Sequence, residues 1–390
     1  MAALTSHFTP LDTSLADLDH NLDVPREFLV DVSICYKALR RVKNNKSPGP
    51  SAVPNKIWKE FAFELAPVVT DIYNASLVQG FIPYQIKESV VTPLPKCSPP
   101  KCIKNDLRPI TLTSQIAKMF EGFMLAPLFN KVIDKIDLKQ FALPGRSTTH
   151  ALVYLLHCIL EALDNSHCFA RILFTDFSKG FDLVDHSVLV SELHGLGVHE
   201  ALIRWIWAFL TGRSQQVKIG SALSNSVIPR GGIPQGTTLA PLLFAILVND
   251  LVKDWKTRVK YVDDLSVLEI IPRCSTCMLP FVARDICSYA SSHGMKLNPS
   301  KCKELRIDFL QYKPSDLPPL QMSGSIIEQL PSYKLLGVHL SHNLSWSIHC
   351  DYIVKRARKR LYVLRVLMKS GLPPADLIQV YCSLVRPISE

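Results

Sequence analysis

Apolar residues recur along the chain at two spacings, which predict helices and strands. Helical spacing predicts helices over Cys35 to Val42, Ile57 to Gly80, Ala151 to Leu163, Pro280 to His293 and Tyr352 to Lys369. Short β-prone runs predict strands over Ser89 to Lys96 and Arg171 to Asp176, and hairpins over Arg213 to Val227, Lys260 to Glu269 and Tyr333 to Leu340. With 390 residues, the chain suits two or three subdomains.

Two of the predicted strands carry aspartates at an end. Lys260 to Glu269 reads KYVDDLSVLE, so that Asp263 and Asp264 lie at the predicted bend. Adjacent aspartates in a bend are by themselves more often a solvated turn than an active site, because Asp favours turns for local reasons. A second apolar strand, however, ends in Asp176. Two strands that bring carboxylates to one sheet edge can hold a pair of divalent cations, an arrangement suited to phosphoryl transfer.

Two further segments suggest contacts with a nucleotide. Arg108 is fixed beside a proline next to a predicted strand, and its guanidinium could clamp a triphosphate or be ordinary surface. The glycine-rich stretch from Pro229 to Phe244 leads into an apolar helix and contains Gln235. Glycine lets the backbone approach a flat ligand closely, although a flexible loop is the alternative. Its position between the two aspartate strands favours a substrate surface.

For several charged residues, the sequence leaves open both a functional contact and an ordinary solvated position. Lys301 could protonate a leaving pyrophosphate or be solvated, and the loop from Lys43 to Ser51 could touch a phosphate backbone or be a solvated linker. Lys118 and Glu121 are one helical turn apart and predict only a local ion pair. The last predicted helix carries five cations, and we expect a phosphate backbone as their partner: Lys355, Arg356, Arg358, Lys359 and Arg360.

Composition narrows the class of protein. A hydrophobic content of 47% and a charged content of 20% are globular values, and the formal net charge of +10 favours a polyanionic partner. The 11 cysteines form no compact framework, which indicates reduced thiols and an intracellular location, in the nucleus, the cytoplasm or both. No apolar run reaches the roughly 18 residues of a membrane span, and the start lacks the pattern of a secretion signal, so we expect no membrane partner.

Cys274 and Cys277 form a CxxC pair that could be drawn as a zinc site with Cys287 and His293. The spacing matches no standard zinc knuckle, and isolated CxxC pairs are mostly chance. We therefore predict no zinc site there.

Six short motifs, in this order and spacing, resemble those of the reverse transcriptases, most closely the non-LTR (LINE-type) retrotransposon branch. They are Arg108-Pro-Ile-Thr-Leu, Phe174 to His186 (FTDFSKGFDLVDH), Gly232 to Phe244 (GIPQGTTLAPLLF), Tyr261-Val-Asp-Asp264, Leu297-Asn-Pro-Ser-Lys301 and Leu336-Gly-Val.

The resemblance implies an α+β fold with the right-hand architecture of polymerases. Its parts would be an N-terminal extension over 1–42, fingers over 43–140, a palm with an antiparallel sheet and some finger elements over 141–344, and a partial helical thumb over 345–390. The implied activity is RNA-directed DNA polymerisation, with an RNA template, a DNA primer and dNTPs as partners.

The resemblance also implies roles for single residues. Asp176 and Asp263 would hold two Mg²⁺ ions, with Mn²⁺ as the alternative, and Asp264 would lie beside them in the catalytic site. Lys301 would be the proton donor. The substrate-binding residues would be Arg108 at the triphosphate, Phe181 under the sugar, and Gln235 and Gly236 along the nucleotide pocket.

The chain departs from the family pattern in two respects. Gly180 stands where the family more often has Ala, a change that we expect to be tolerated. The chain stops inside the implied thumb and shows neither an endonuclease domain nor a terminal Cys/His knuckle, so we expect it to be a piece of a longer element protein. The alternative functions are a truncated, non-catalytic nucleic-acid-binding remnant of the same element and a two-metal nuclease.

Overall fold

The structure is a computed structural model that describes residues 23–51, 53–97, 99–102, 106–164, 167–273, 275–310 and 317–389. Much of the predicted N-terminal extension, residues 1–22, lies outside the described residues, as does Cys274. Among the residues that are described, no helix is both long enough and apolar enough to cross a membrane.

Helices dominate the first part of the described chain. After a 3₁₀ turn at Arg26–Phe28, the helices are α1 (Val32–Arg40), α2 (Asn55–Glu60), α3 (Ala62–Gln79) and α4 (Tyr84–Lys87). The predicted helix from Ile57 to Gly80 is therefore two helices, because Phe61 leaves helical geometry at φ −94° and ψ 30°. Its end is confirmed, since Gly80 closes α3 in the left-handed region at φ 61°.

A four-stranded sheet follows, in the order β2-β1-β4-β5. Strands β1 (Glu88–Pro95) and β2 (Leu107–Thr113) pair antiparallel, and β4 (Ser214–Ile219) joins β1 in parallel before turning back into β5 (Ala222–Leu223). Between β2 and β4 lie α5 (Gln115–Val132), α6 (Thr148–Asp164), β3 (Cys168–Thr175), α7 (His186–Gly195) and α8 (Glu200–Leu210). The predicted hairpin after Arg213 is thus confirmed.

The central sheet has five strands in the order β11-β8-β3-β7-β6. Helix α9 (Ala240–Leu247) leads to the hairpin of β6 (Arg258–Tyr261) and β7 (Asp264–Pro272), after which come α10 (Leu279–Ser292), β8 (Lys303–Ile307), β9 (Gln321–Met322), β10 (Ser325–Ile326) and β11 (Glu328–Gln329). Strand β3 is antiparallel to β7 and to β8. The sheet thereby places the end of β3 beside the β6–β7 bend.

Strand β3 is buried on both faces and is apolar apart from Arg171 and Thr175. Phe169 and Leu173 point into the larger hydrophobic core, while Ala170, Ile172 and Phe174 point into a second core that contains residues of α6. This double burial fixes the strand that ends at Asp176.

The C-terminal part consists of the hairpin β12 (Ser332–Leu335) and β13 (Val338–Ser341), the long helix α11 (Ser347–Lys369), α12 (Pro374–Val380), a π-helical turn at Tyr381–Val385 and α13 (Arg386–Ser389). Helix α11 begins before the predicted Tyr352 and has no buried residue. The mixture of helices and largely antiparallel sheets confirms the mixed α/β character expected from the sequence.

Candidate active site

The register of the central sheet places three aspartates together. Thr175 on β3 pairs with Leu265 on β7, so one step further along the two strands brings Asp176 opposite Asp264. Tyr261 pairs with Asp264 across the hairpin, which leaves Val262 and Asp263 as its two-residue turn. The sequence prediction of a tight hairpin with aspartates at its bend is confirmed.

The electrostatics of these aspartates reflect their proximity. Burial and the negative charge of Asp176 raise the pKa of Asp263, while the positive charge of Arg108 opposes this rise. Desolvation at the bend and the charges of Asp263 and Asp176 raise the pKa of Asp264 to about 6. Since each carboxylate disfavours ionisation of its neighbour, the cluster favours a nearby cation.

Asp176 is held on both sides by the segment that follows α10. Its carbonyl accepts a hydrogen bond from the Asn298 amide at 2.8 Å, and its own amide donates to the Cys302 Sγ at 3.5 Å. Lys301 Nζ lies 3.5 Å from Asp176 Oδ2. The structure therefore brings the predicted proton donor to the predicted catalytic carboxylate.

The aspartate cluster fits a divalent cation by its chemistry. Asp176 Oδ2 is buried and accepts no hydrogen bond from the described residues, although Lys301 Nζ forms an ion pair with it at 3.5 Å. Carboxylate oxygens are the ligands that hard cations prefer. Within the described residues, no group of three or more His, Cys, Asp or Glu side chains is arranged so that it could hold a metal ion. Such an ion would complete its shell with oxygens of water or phosphate, as Mg²⁺ commonly does.

The glycine-rich loop is tied to both the first sheet and the turn after β3. The Thr111 amide donates to the Gln235 carbonyl at 2.8 Å, and the Ile233 amide donates to the Phe181 carbonyl at 2.7 Å. Gln235 Nε2 donates to Asp182 Oδ1 at 2.9 Å. Gly236 adopts φ 98° beside Thr111. The predicted pocket residues Phe181, Gln235 and Gly236 thus belong to one connected unit.

Phe181 is partly buried, and its ring lies 4.7 Å from that of Phe244 between centroids. At the neighbouring Gly180, an added Cβ would lie 3.4 Å from two ring atoms of Phe244, an ordinary van der Waals distance. Space at this position therefore accommodates both glycine and alanine, in line with the expected tolerance.

Position 232 requires glycine for two reasons, its backbone conformation and the lack of room for a Cβ atom. Its φ is 84°, and an added Cβ would lie 2.7 Å from the Asp182 carbonyl oxygen. We expect Gly232→Ala to lower the free energy of unfolding by more than the roughly 1–2 kcal/mol of left-handed strain alone. Gly220→Ala is the matched control, because Gly220 has φ 61° and an added Cβ there would meet none of the described residues within 4 Å, its chain neighbours aside. Denaturant titration measures the free energy of unfolding of both variants, and equal decreases would contradict a steric clash at Gly232.

Glu121 makes a buried contact with the end of the glycine-rich loop that the sequence prediction missed. Lys118 and Glu121 attract each other electrostatically, as their spacing predicts, but the hydrogen bonds of the carboxylate do not go to Lys118. Instead, Glu121 Oε2 accepts hydrogen bonds from the Thr238 amide at 2.6 Å and the Leu239 amide at 3.1 Å, at the start of α9. Burial raises the pKa of Glu121 to about 7. Its partners lie more than a hundred residues away, and no local pattern could have indicated them.

The remaining predicted residues lie on exposed surfaces or outside the site. Arg108 is exposed on β2, where its charge reaches Asp263. Helix α11 exposes all five predicted phosphate-binding cations: Lys355, Arg356, Arg358, Lys359 and Arg360. Cys277 is buried, with its Sγ 3.0 Å from Glu269 Oε2 and 3.2 Å from Arg171 Nη1, so it belongs to a buried polar network.

Comparison with known proteins supports the resemblance to the reverse transcriptases. Residues 94–340 match the family model described as reverse transcriptase (RNA-dependent DNA polymerase). The probable RNA-directed DNA polymerase from transposon BS of Drosophila melanogaster is 26% identical over 377 residues, which cover 92% of this chain and 41% of that protein. The RNA-directed DNA polymerase from mobile element jockey of Drosophila funebris is 24% identical, with 89% and 39% covered. The chain thus spans about two fifths of the length of these relatives.

Proposed function

Since the chain belongs to the reverse transcriptase family, we propose that it is the RNA-directed DNA polymerase of a non-LTR retrotransposon. The observation that carries the proposal is the meeting of Asp176, Asp263 and Asp264 at one edge of the central sheet. In the proposed reaction, the primer 3′ hydroxyl releases its proton to water, its oxygen bonds to the α-phosphorus of a dNTP, and the bond from that phosphorus to pyrophosphate breaks. An RNA strand is the template and a DNA strand the primer.

Asp176 and Asp263 would hold two Mg²⁺ ions, or Mn²⁺ in their place, with Asp264 beside them. When bound, such ions supply positive charge to the attacking and leaving oxygens of phosphoryl transfer. The buried Asp176 Oδ2, which accepts no hydrogen bond from the described part of the chain, and the raised pKa of Asp263 both support this assignment.

The chain's own residues would position the nucleotide and move a proton. Arg108, exposed and electrostatically coupled to Asp263, would contact the triphosphate. Gln235 and Gly236 would line the pocket, and Phe181 would lie under the sugar. Lys301, whose Nζ is 3.5 Å from Asp176 Oδ2, would give its proton to the leaving pyrophosphate.

The right-hand architecture is the arrangement that best accounts for these parts. The helices and sheet of 43–140 would be the fingers, the central sheet within 141–344 the palm, and the helices of 345–390 the partial thumb. Helix α11 supports the thumb assignment, since a long helix with no buried residue and many cations suits a surface that meets a nucleic acid. We place the protein in the nucleus, the cytoplasm or both.

A basic cavity between the proposed N-terminal extension and the proposed fingers supports contact with a nucleic-acid backbone. Its volume is about 480 Å³, and the described residues that line it include no carboxylate and four cations: Arg41, Lys43, Lys46 and Lys118. The buried Asn55 fixes its loop by donating to the carbonyls of Lys43 at 3.0 Å and Lys46 at 2.9 Å. The loop from Lys43 to Ser51 is therefore held in place, which favours the phosphate-binding interpretation over a solvated linker.

The exposed cations of α11 provide a quantitative prediction. Replacing Lys355 and Lys359 by Gln should weaken binding of RNA–DNA primer-template about equally for all sequences. The slope of log K against log salt should flatten by roughly 1.4 to 1.8, the contribution of two phosphate contacts. Fluorescence anisotropy at several salt concentrations measures this slope.

The control removes two exposed lysines that already have acidic partners. Lys56 lies 3.5 Å from Glu60, and Lys253 lies 3.0 Å from Asp250. Their replacement by Gln changes the net charge equally, so it should leave the slope nearly unchanged. If the α11 variant also kept the wild-type slope, the cluster would be ordinary solvated surface.

A single assay separates the proposed function from its alternatives. The protein is incubated with Mg²⁺, dNTPs and an RNA template annealed to a DNA primer labelled at its 5′ end. A polymerase lengthens the labelled strand. A non-catalytic remnant binds the duplex and leaves its length unchanged, whereas a two-metal nuclease shortens it. Only lengthening that requires the RNA template supports the proposal.

A further inference from the structure

The segment from Asp137 to Arg146 has no part in the function proposed above, yet it is highly ordered by its own contacts. Arg146 Nη1 donates to three carbonyls of this segment, those of Asp137 at 3.3 Å, Leu138 at 3.0 Å and Gln140 at 2.7 Å. One guanidinium nitrogen thereby fixes the path of the chain up to Gln140.

This segment docks on the strand that leads into the aspartate bend. The Phe141 amide donates to the Lys260 carbonyl at 2.8 Å, and the Lys260 amide donates to the Lys139 carbonyl at 2.9 Å. Gln140 and Lys260 form a parallel β-bridge as a result. The docked segment therefore extends the central sheet beyond β6, on the side away from β7.

The Gln140 side chain reaches the bend itself. The residue is 1% exposed, and its Oε1 accepts hydrogen bonds from the amides of Ala142 at 3.2 Å and Val262 at 3.3 Å. Val262 adopts φ 56°, a left-handed geometry that is unusual for a β-branched residue and persists only where its surroundings impose it. Asp263 follows directly, so the orientation of Val262 determines where this carboxylate points.

The buried side chain of Lys260 also anchors β6, the strand on which the segment docks. Lys260 is 1% exposed, and its Nζ donates to the carbonyls of Val248 at 3.0 Å and Asn249 at 2.7 Å. Asp137 Oδ2 lies 2.9 Å from the same nitrogen. Strand β6 is thus fixed by Lys260, while the bend beyond it relies on Gln140.

We propose that Gln140 is a positioning residue for the aspartate bend: by holding the Val262 amide, it keeps the bend in the geometry that directs Asp263 and Asp264 toward the substrate. The proposal rests on the proposed function, because it gives the bend a catalytic purpose. Residues that orient metal-binding side chains typically contribute a factor of about 10–100 to activity or metal affinity.

Gln140→Met tests this role, because methionine has nearly the same length and lacks the acceptor oxygen. We expect kcat for primer extension to fall by roughly 10–100-fold and the half-saturating Mg²⁺ concentration to rise. The Kd for primer-template should stay unchanged. Hydrogen–deuterium exchange should increase in a peptide that covers 258–268 and stay at the wild-type level in one that covers 168–175.

Thr70→Val is the matched control, since Thr70 is buried and its hydroxyl donates to the Ala66 carbonyl at 2.7 Å, within a helix of the first part of the chain. It removes one buried hydrogen bond and should preserve kcat. If Gln140→Met does not fold, Gln140→Asn, whose amide is one methylene shorter, serves for the same comparison.

Three results would overturn the proposal: wild-type exchange at the bend, faster exchange with wild-type kcat, or failure of both Gln140 variants to fold. The last would mean that Gln140 supports the whole domain. A wild-type protein that extends no primer would instead refute the proposed function, and the exchange experiment would still test the link between Gln140 and the bend.

Discussion

Asp176→Asn and Asp263→Asn are each expected to abolish primer extension while leaving RNA binding intact. Asparagine has almost the same shape as aspartate but lacks the charge that a divalent cation needs. The loss of activity should be larger than the roughly 10–100-fold loss caused by removing a residue that only hydrogen-bonds to a metal ligand. Extension rates at saturating primer-template, together with the Kd for RNA, measure the two effects separately.

The raised pKa of Asp263 provides a check on folding in the same experiment. Its carboxylate is disfavoured by burial and by the charge of Asp176, so Asp263→Asn should leave the melting temperature unchanged or raise it. Asp285→Asn is the control, because Asp285 is exposed on α10. If a folded Asp176 or Asp263 variant extended primers at the wild-type rate, the assignment of the catalytic carboxylates would be wrong.

Phe181→Val should raise the incorporation of ribonucleotides relative to deoxynucleotides. A bulky ring under the sugar would collide with a 2′-hydroxyl, the group by which a site distinguishes RNA from DNA. Rejection by collision requires no attractive contact, so a smaller side chain should relax the selection. The ratio of kcat/KM for a ribonucleotide to that for the matching deoxynucleotide measures this effect.

The alternative is that Phe181 only packs against Phe244, whose ring centroid is 4.7 Å away. Truncation would then open a cavity and lower both activities in proportion, as large-to-small substitutions in cores do at a cost of roughly 3–5 kcal/mol. Phe129→Val is the control, since Phe129 is likewise partly buried against the same core. An unchanged ratio in a folded Phe181 variant would assign this side chain to packing.

Local patterns were sufficient to predict the elements that carry the site. The apolar run before Asp176 and the two runs around Asp263 identified β3 and the β6–β7 hairpin, because strand propensity and turn chemistry depend on neighbouring residues. Helix α10 was predicted within one residue at each end, Leu279–Ser292 against Pro280 to His293. The break at Phe61 was missed, since the apolar pattern continues through it.

Long-range contacts could not be predicted in this way. The parallel pairing of β1 with β4 joins segments that are more than a hundred residues apart. The bonds from Glu121 to the start of α9 and from Gln140 to the bend likewise span 117 or 118 and 122 residues. Such partners depend on how the sheets and helices assemble, and periodicity along the chain contains no information about them.

The sequence of the DNA made on a mixed-sequence RNA template tests the central claim most directly. The wild-type chain is given Mg²⁺, all four dNTPs and a DNA primer annealed to that RNA, and the product strand is sequenced. The roles proposed for the aspartate cluster and for Gln235 and Gly236 predict a DNA strand complementary to the RNA. A product unrelated to the template, or an unextended primer on a protein that binds the duplex, would contradict the account.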